Sequence, residues 1–290
     1  MQGIKLIALD TCFVRNVIHN NKLKNGKYSI DELEEIITLK KDFIYRISET
    51  SLAELMIALG KKDIDITEWK QRINLLDSLL YSECPILPMG LDLAYEMKIR
   101  KFREDYIPAS NEYWNCSWSL LRNLQTSEGM TVPQIFDDNG VKRQICFNLE
   151  KAEQVMKENR CNWICDYYST RKMVVEWNDK NELQITDFKD YLTLIVGNFE
   201  NDGYDVNKIE TMCKTAALYH YRYGKNEYHP DSKNSYNDSL DFSLLQILEY
   251  PAILVSNDGH LIKRVEAACG QRKNILTSSE LLEFLKSDNN

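Results

Sequence analysis

Acidic side chains recur in this chain where apolar runs stop. Asp10 closes Leu6-Ile7-Ala8-Leu9, and Glu54 lies in Ser48-Glu49-Thr50-Ser51-Leu52-Ala53-Glu54-Leu55. Asp238 and Asp241 stand three apart in Asn237-Asp238-Ser239-Leu240-Asp241, and Asp258 follows Leu254-Val255-Ser256-Asn257. Gathered at one point, these acids would repel one another. A hard divalent cation, Mg²⁺ or Mn²⁺, is the natural counter-charge, because such ions take oxygen ligands. A held ion of this kind activates water and neutralises charge on phosphoryl oxygens. The expected chemistry is therefore metal-assisted phosphodiester hydrolysis, with Asp10, Glu54, Asp238, Asp241 and Asp258 as metal ligands and catalytic residues. The sequence does not choose between Asp238 and Asp241 as the direct ligand.

Each acid also has a structural explanation. Asp10 and Asp238 suit helix N-caps, and Asp241 would then complement the dipole of a first helical turn. Ser51-Leu52-Ala53-Glu54 has the form of a capping box, and Asp258 could be a turn residue before Gly259. Other chemistries lack their residues. The chain has no Gly-x-Ser-x-Gly elbow, Walker loop or Gly-x-Gly-x-x-Gly. Of its 8 cysteines only Cys161 and Cys165 are close, and its 4 histidines are not at zinc spacing. Scattered thiols suit a reducing cytoplasm better than a disulfide-stapled secreted domain.

The elements that must position these acids alternate between short apolar runs and helical periodicity. Strands are expected over 4–9, 43–47, 85–88, 252–255 and 274–276. Helices are expected over 11–20, 30–40, 51–60, 67–80, 238–248, 260–268 and 279–286. This order predicts an α/β fold, a central parallel sheet of about five strands covered by helices. Strand C-termini share one sheet edge, where ligands bind. Asp10 and Asp258 meet there only if the sheet winds outward in both directions from the first strand.

Residues 90–230 break the alternation. Helices are expected over 92–102, 113–124, 149–177, 186–199 and 206–223, with a loop over 126–140, so this region reads as a large all-helical insertion or cap. The expected organisation is a discontinuous domain, 1–89 and 231–290, interrupted by the insertion at 90–230. Four of the 5 tryptophans lie in the insertion and are expected to be buried.

Length and composition are those of a globular protein: 290 residues, 43% apolar and 28% charged. No apolar run reaches the ~18 residues of a membrane span, and the N-terminal run is shorter than a secretory signal. A cytoplasmic protein is the expectation. The net charge of −8 argues against a broad basic surface for duplex nucleic acid, so any grip must be local. The stretch from Tyr219 to His229 mixes aromatic and basic groups and could stack single-stranded bases. Within it Arg222, Tyr223 and Lys225 are candidate nucleic-acid contacts. The spacing of Arg222 and His229 also loosely resembles that of the metal-free HEPN ribonucleases.

Taken in order, the four acidic motifs resemble those of the PIN domain family. Ile7-Ala8-Leu9-Asp10-Thr11 is similar to its opening strand and first acid, and Glu54 falls in its second-acid motif. Asn237 to Asp241 resembles the third, and Val255-Ser256-Asn257-Asp258 the last, with Ser256 where the family often has Thr. The resemblance covers about half of the chain. It implies a Mg²⁺- or Mn²⁺-dependent nuclease, most often an endoribonuclease acting on single-stranded or structured RNA. It allows an inhibitory or regulatory protein partner, since many members are toxins paired with antitoxins. The excursion at 90–230 departs from the small toxin members. A DNA nuclease of the same metal chemistry and a non-catalytic PIN-like scaffold are the alternatives.

Overall fold

Four apolar residues, Leu6–Leu9, form β1 at the centre of a parallel sheet. The computed structural model describes residues 6–40, 42–60, 65–123, 134–136, 142–144, 149–180, 182–235 and 237–287. After β1 come α1 (Thr11–His19), α2 (Ser29–Leu39), β2 (Ile44–Ser48), α3 (Glu49–Gly60), α4 (Ile66–Leu79) and β3 (Ile86–Leu87). The excursion contains α5 (Gly90–Glu96), α6 (Asn111–Arg122), β4 (Gln134–Phe136), β5 (Lys142–Gln144), α7 (Leu149–Asp179), α8 (Phe188–Asn201) and α9 (Glu210–Gly224). The chain then returns through α10 (Asp238–Leu244), β6 (Ala252–Val255), α11 (Gly259–Cys269), β7 (Ile275–Leu276) and α12 (Ser278–Ser287).

The five-stranded sheet has the order β3-β2-β1-β6-β7 and is parallel throughout. It winds outward from β1 in both directions, as the meeting of Asp10 and Asp258 requires. In register, Leu9 is opposite Ile47 on one side and Val255 on the other. Both faces are covered, which explains the unbroken apolar runs. Side chains alternate between the faces. Ile7, Leu9, Ile253 and Val255 join the core beneath α1, α3 and α4, whereas Ala8, Ala252 and Leu254 join the core beneath α5 and α9.

The helical excursion shares these cores. Trp114 and Trp118 of α6 are 3% exposed and pack with the first, while Ile209, Met212 and Cys213 pack with the second. Trp163 and Trp177 are half-buried. Further clusters lie within the excursion, one around Ile195 and Ala217 and one of Tyr167, Tyr219 and Tyr223.

Several expectations need correction. The excursion is not all-helical, because β4 and β5 form an antiparallel pair. β4 takes 134–136 of the expected loop, and the loop's remaining residues lie outside the described ones. The helix expected over 92–102 ends at Glu96. Lys98 turns left-handed at φ 53°, and Arg100 leaves the helix to bridge with Tyr204. The helix expected from Thr67 begins at Ile66, because Asp65 caps it by accepting from the Thr67 and Glu68 amides. Among the described residues, no helix is long and apolar enough to cross a membrane.

Candidate active site

Asp10 follows directly on β1, and its amide donates to Val255 O at 3.0 Å, tying the ends of the two central strands together. It stands at the N-cap of α1 without making a side-chain cap bond. Its Oδ2 instead accepts from Ser256 Oγ at 2.6 Å, and that hydroxyl accepts from the Asp258 amide at 3.1 Å. Ser256 is fully buried and fixes the first and last acids relative to each other. Asp258 caps α11, accepting from the His260 and Leu261 amides at 2.6 and 3.4 Å.

Glu54 enters from α3. That helix starts at Glu49, so Ser51 lies inside it and the expected capping box is not formed. Ser51 belongs to a buried hydroxyl network instead. Its Oγ meets Thr11 Oγ1 at 3.1 Å and Ser48 Oγ at 2.8 Å, and Ser48 Oγ meets Thr50 Oγ1 at 2.7 Å. The network pins the start of α3 against the end of β1 and so sets where Glu54 projects. The Ser48-x-x-Ser51 spacing was the available signal for it.

Asp10, Glu54, Asp241 and Asp258 line one cavity of about 230 Å³ at the C-terminal edge of the sheet. They come from four different segments of the chain. Asp238 does not line it. Arg264 of α11 forks between the two acids of α10, reaching Asp238 Oδ1 at 2.5 Å and Asp241 Oδ2 at 2.8 Å. Asp238 is 2% exposed. Its charge bears on Tyr219 and Tyr228, adding to the burial that raises both phenols.

Burial dominates the electrostatics of the cavity, and neighbouring acids add to it. Burial pushes the Asp10 carboxyl up to about 6, against the Ser256 hydrogen bond, and Asp258 adds to the rise. Burial pushes Glu54 up to about 7, with Arg15 opposing and Asp10 adding. Asp241 is raised well above the usual carboxylate range by burial and by Asp10 and Asp258, against Arg264. The Cys12 thiol in the same cavity is pushed up to about 12 by burial, then by Asp10 and Asp258. Each carboxyl is penalised partly because its neighbours are also acids.

An all-oxygen donor set with this repulsion fits a hard divalent cation in chemistry and charge. The side chains are not drawn together at ligating distance. Among the described residues, no three His, Cys, Asp or Glu side chains are grouped closely enough to hold one ion.

Two larger clefts adjoin the acid cavity. One, of about 630 Å³, shares Arg15, His19, Glu54 and Asn237 with it and continues past Lys157 and Arg160 of α7. The other, of about 440 Å³, shares Thr50 and Leu240 with it and opens between α3, α7, α8 and α9. Arg222, Tyr223 and Lys225 line neither cleft nor the acid cavity. Tyr223 is 5% exposed, packed edge-on to Tyr167 with Arg171 over its ring, and so offers no stacking face. The Lys225 ammonium lies over the Tyr221 ring. Two basic residues beside the acids, Arg264 at 2.8 Å from Asp241 and Arg15 at 3.8 Å from Glu54, went unrecognised in the sequence because each meets its acid from a different segment of the chain.

Comparison with known proteins gives no match: no family model, no curated protein and no solved structure is significantly similar to this chain.

Proposed function

We propose that this protein is a Mg²⁺- or Mn²⁺-dependent nuclease of PIN-like design, acting as an endoribonuclease on single-stranded or structured RNA. The observation that carries this is the convergence of Asp10, Glu54, Asp241 and Asp258, from four segments, on one cavity at the carboxyl edge of a parallel sheet. Asp10, Asp258 and Asp241 would hold the ion, with Glu54 completing the shell or orienting water. When bound, the ion supplies an activated water and charge neutralisation at the phosphoryl oxygens.

This chain's own residues do the positioning. Ser256 holds Asp10 and Asp258 in one orientation. Arg264 restrains Asp241 from the far side, and Arg15, 3.8 Å from Glu54, stands at the mouth where a phosphate would approach. The cleft beside the acids brings Arg15, Lys157 and Arg160 together with Glu153, a local cationic contact that suits a strand gripped over a short length.

The test is incubation of labelled single-stranded RNA, transfer RNA and single-stranded DNA with wild type and Asp10→Asn, in Mn²⁺ or EDTA. Mn²⁺-dependent cutting by wild type alone is expected, and preference among the three substrates decides between RNA and DNA. Undiminished cutting in EDTA would overturn the metal mechanism. One observation favours the non-catalytic alternative, namely that the acids are not grouped at ligating distance. Mn²⁺ should raise the wild-type melting temperature by mass action, since it would bind only the folded form. No rise and no cutting would favour the scaffold.

A further inference from the structure

The 440 Å³ cleft between α3, α7, α8 and α9 is within the range of ligand pockets. Three carboxamides, Asn159 and Asn162 on α7 and Asn198 on α8, line it. Their side chains make no hydrogen bond among the described residues. Between them lie half-buried aromatic surfaces, Trp163, Phe199 and Phe242, with Trp163 and Phe242 tilted at 5.2 Å between ring centroids. A free carboxamide both donates and accepts. Carboxamides beside aromatic faces are what the edge and the face of an unstacked base require.

Charge decides which part of a nucleotide belongs here. Glu49, Asp166 and Asp202 also line this cleft, Asp166 at 3.1 Å from His220, and among the described residues no Lys or Arg does. A phosphate would be repelled, whereas a neutral base would not. The cleft on the other side of the acids sets Arg15, Lys157 and Arg160 against two carboxylates, Glu54 and Glu153, and so carries the cations that the first lacks. The two are joined through the acid cavity, which shares Thr50 and Leu240 with the first and Arg15 and Glu54 with the second.

We propose that the carboxamide-lined cleft is a nucleobase subsite, taking a base flipped out of a single strand whose scissile phosphate lies at the acid cavity and whose backbone follows the basic cleft. This rests on the nuclease reading for the placement of the phosphate. The subsite would give the enzyme a base preference at a fixed position next to the cut, and it explains why the helical excursion is applied to this edge of the sheet. Three of its elements, α7, α8 and α9, belong to that excursion.

The experiment has two arms on the full chain. In the first, Trp163 reports binding. Adenosine, guanosine, cytidine and uridine are titrated against intrinsic fluorescence, with ribose as the control without a base and Trp163→Phe to assign the signal. At least one nucleoside should quench saturably while ribose does not. Asn162→Ala/Asn198→Ala should weaken that binding about tenfold, the loss expected for hydrogen bonds of this kind. Its melting temperature should stay near that of wild type, since neither side chain bonds within the described structure. In the second arm, a randomised single-stranded RNA is cut with Mn²⁺ and the ends are sequenced. Wild type should show a preference at one position, and the double variant should flatten it.

Quenching by no nucleoside, equal binding by the double variant, or an unchanged cut preference overturns the subsite. The nuclease reading fails separately. Nucleoside binding with no cutting by wild type overturns the reaction but keeps the pocket, and cutting with no nucleoside binding overturns the pocket alone.

Discussion

Asp238 and Asp241 stand three residues apart on one short helix and share one guanidinium, yet they belong to different regions. Asp238 is sealed among Tyr219, Tyr228 and Arg264, with a fixed cation at 2.5 Å. Asp241 faces the acid cavity, where Asp10 and Asp258 oppose its charge and Arg264 only partly offsets them. A carboxylate matched by a permanent cation is a structural fixture. A buried carboxylate that also faces other acids, with a shared cation only partly offsetting them, has room for a counter-ion from solution. Under the proposed function, α10 would have two jobs, anchoring by its first residue and ligation by its fourth.

The largest expected effect would break that contrast directly. Asp10→Asn and Asp241→Asn should each lower Mn²⁺-dependent kcat/KM by more than about a hundredfold, since removing even outer-shell partners of a metal costs ~10–100-fold. Asp238→Asn, measured on the same RNA, should stay within about tenfold of wild type. An equal loss in Asp238→Asn would mean that both acids serve the ion.

Stability should sort the same residues in the opposite order. Asp238→Asn leaves Arg264, whose side chain is 20% exposed, with half of its fork. Breaking a buried pair at one partner costs ~3–5 kcal/mol, and Asp241 remains to soften this. Denaturant melts should show a loss of about 3 kcal/mol. A loss below about 1 kcal/mol would show that the fork is not an anchor.

Much of this arrangement was legible in the sequence for identifiable reasons. Strand 252–255 is read to the residue, because a four-residue apolar run ending before Ser256-Asn257-Asp258 has no helical alternative of sufficient length. The outward winding from β1 followed from requiring Asp10 and Asp258 to meet. What escaped depended on side-chain direction. Periodicity places Asp238 and Asp241 on one face, but it does not show that Arg264, more than twenty residues on, would reach both. The aromatic stretch at 219–229 looked like a stacking surface, but its tyrosines close a core with Tyr167 of α7, a helix remote in sequence. The Ser51 capping box was overridden when α3 began two residues earlier, at Glu49.

A smaller effect sharpens the electrostatic half of the comparison. Asp10 rises from 3.8 to about 6 in the folded protein. Between those values the folded form holds a proton that the unfolded chain has released, so stability falls as pH rises through the window and stays lowered above it. Without added metal, Asp10→Asn should match wild type near pH 4 and exceed it above pH 6, by an amount on the order of 2 kcal/mol. Saturating Mn²⁺ at pH 7 should reverse the order, because only wild type gains by binding. A constant difference across pH, or no reversal with Mn²⁺, would mean that the acids are compensated within the fold.

The smallest effect concerns where the strand's phosphates lie, and it sets the cleft beside α7 against the basic stretch at the end of α9. Lys157 is exposed and lines the cleft that shares Glu54 with the acid cavity, whereas Arg222 and Lys225 line none of these surfaces. A side chain that neutralises one phosphate of a single strand releases about 0.7 counterion, so removing it lowers the slope of log K against log salt by that amount. With Mn²⁺ replaced by Ca²⁺ to slow cutting, Lys157→Ala should reduce the slope by ~0.7 and weaken RNA binding a few-fold at low salt. Arg222→Ala/Lys225→Ala should leave slope and affinity unchanged. The opposite result would move the strand's path to the far end of α9, outside the clefts that adjoin the acids. The phosphate would then approach over the tyrosine nest, and Asp238, the acid sealed on that side, would become the better candidate for the ion.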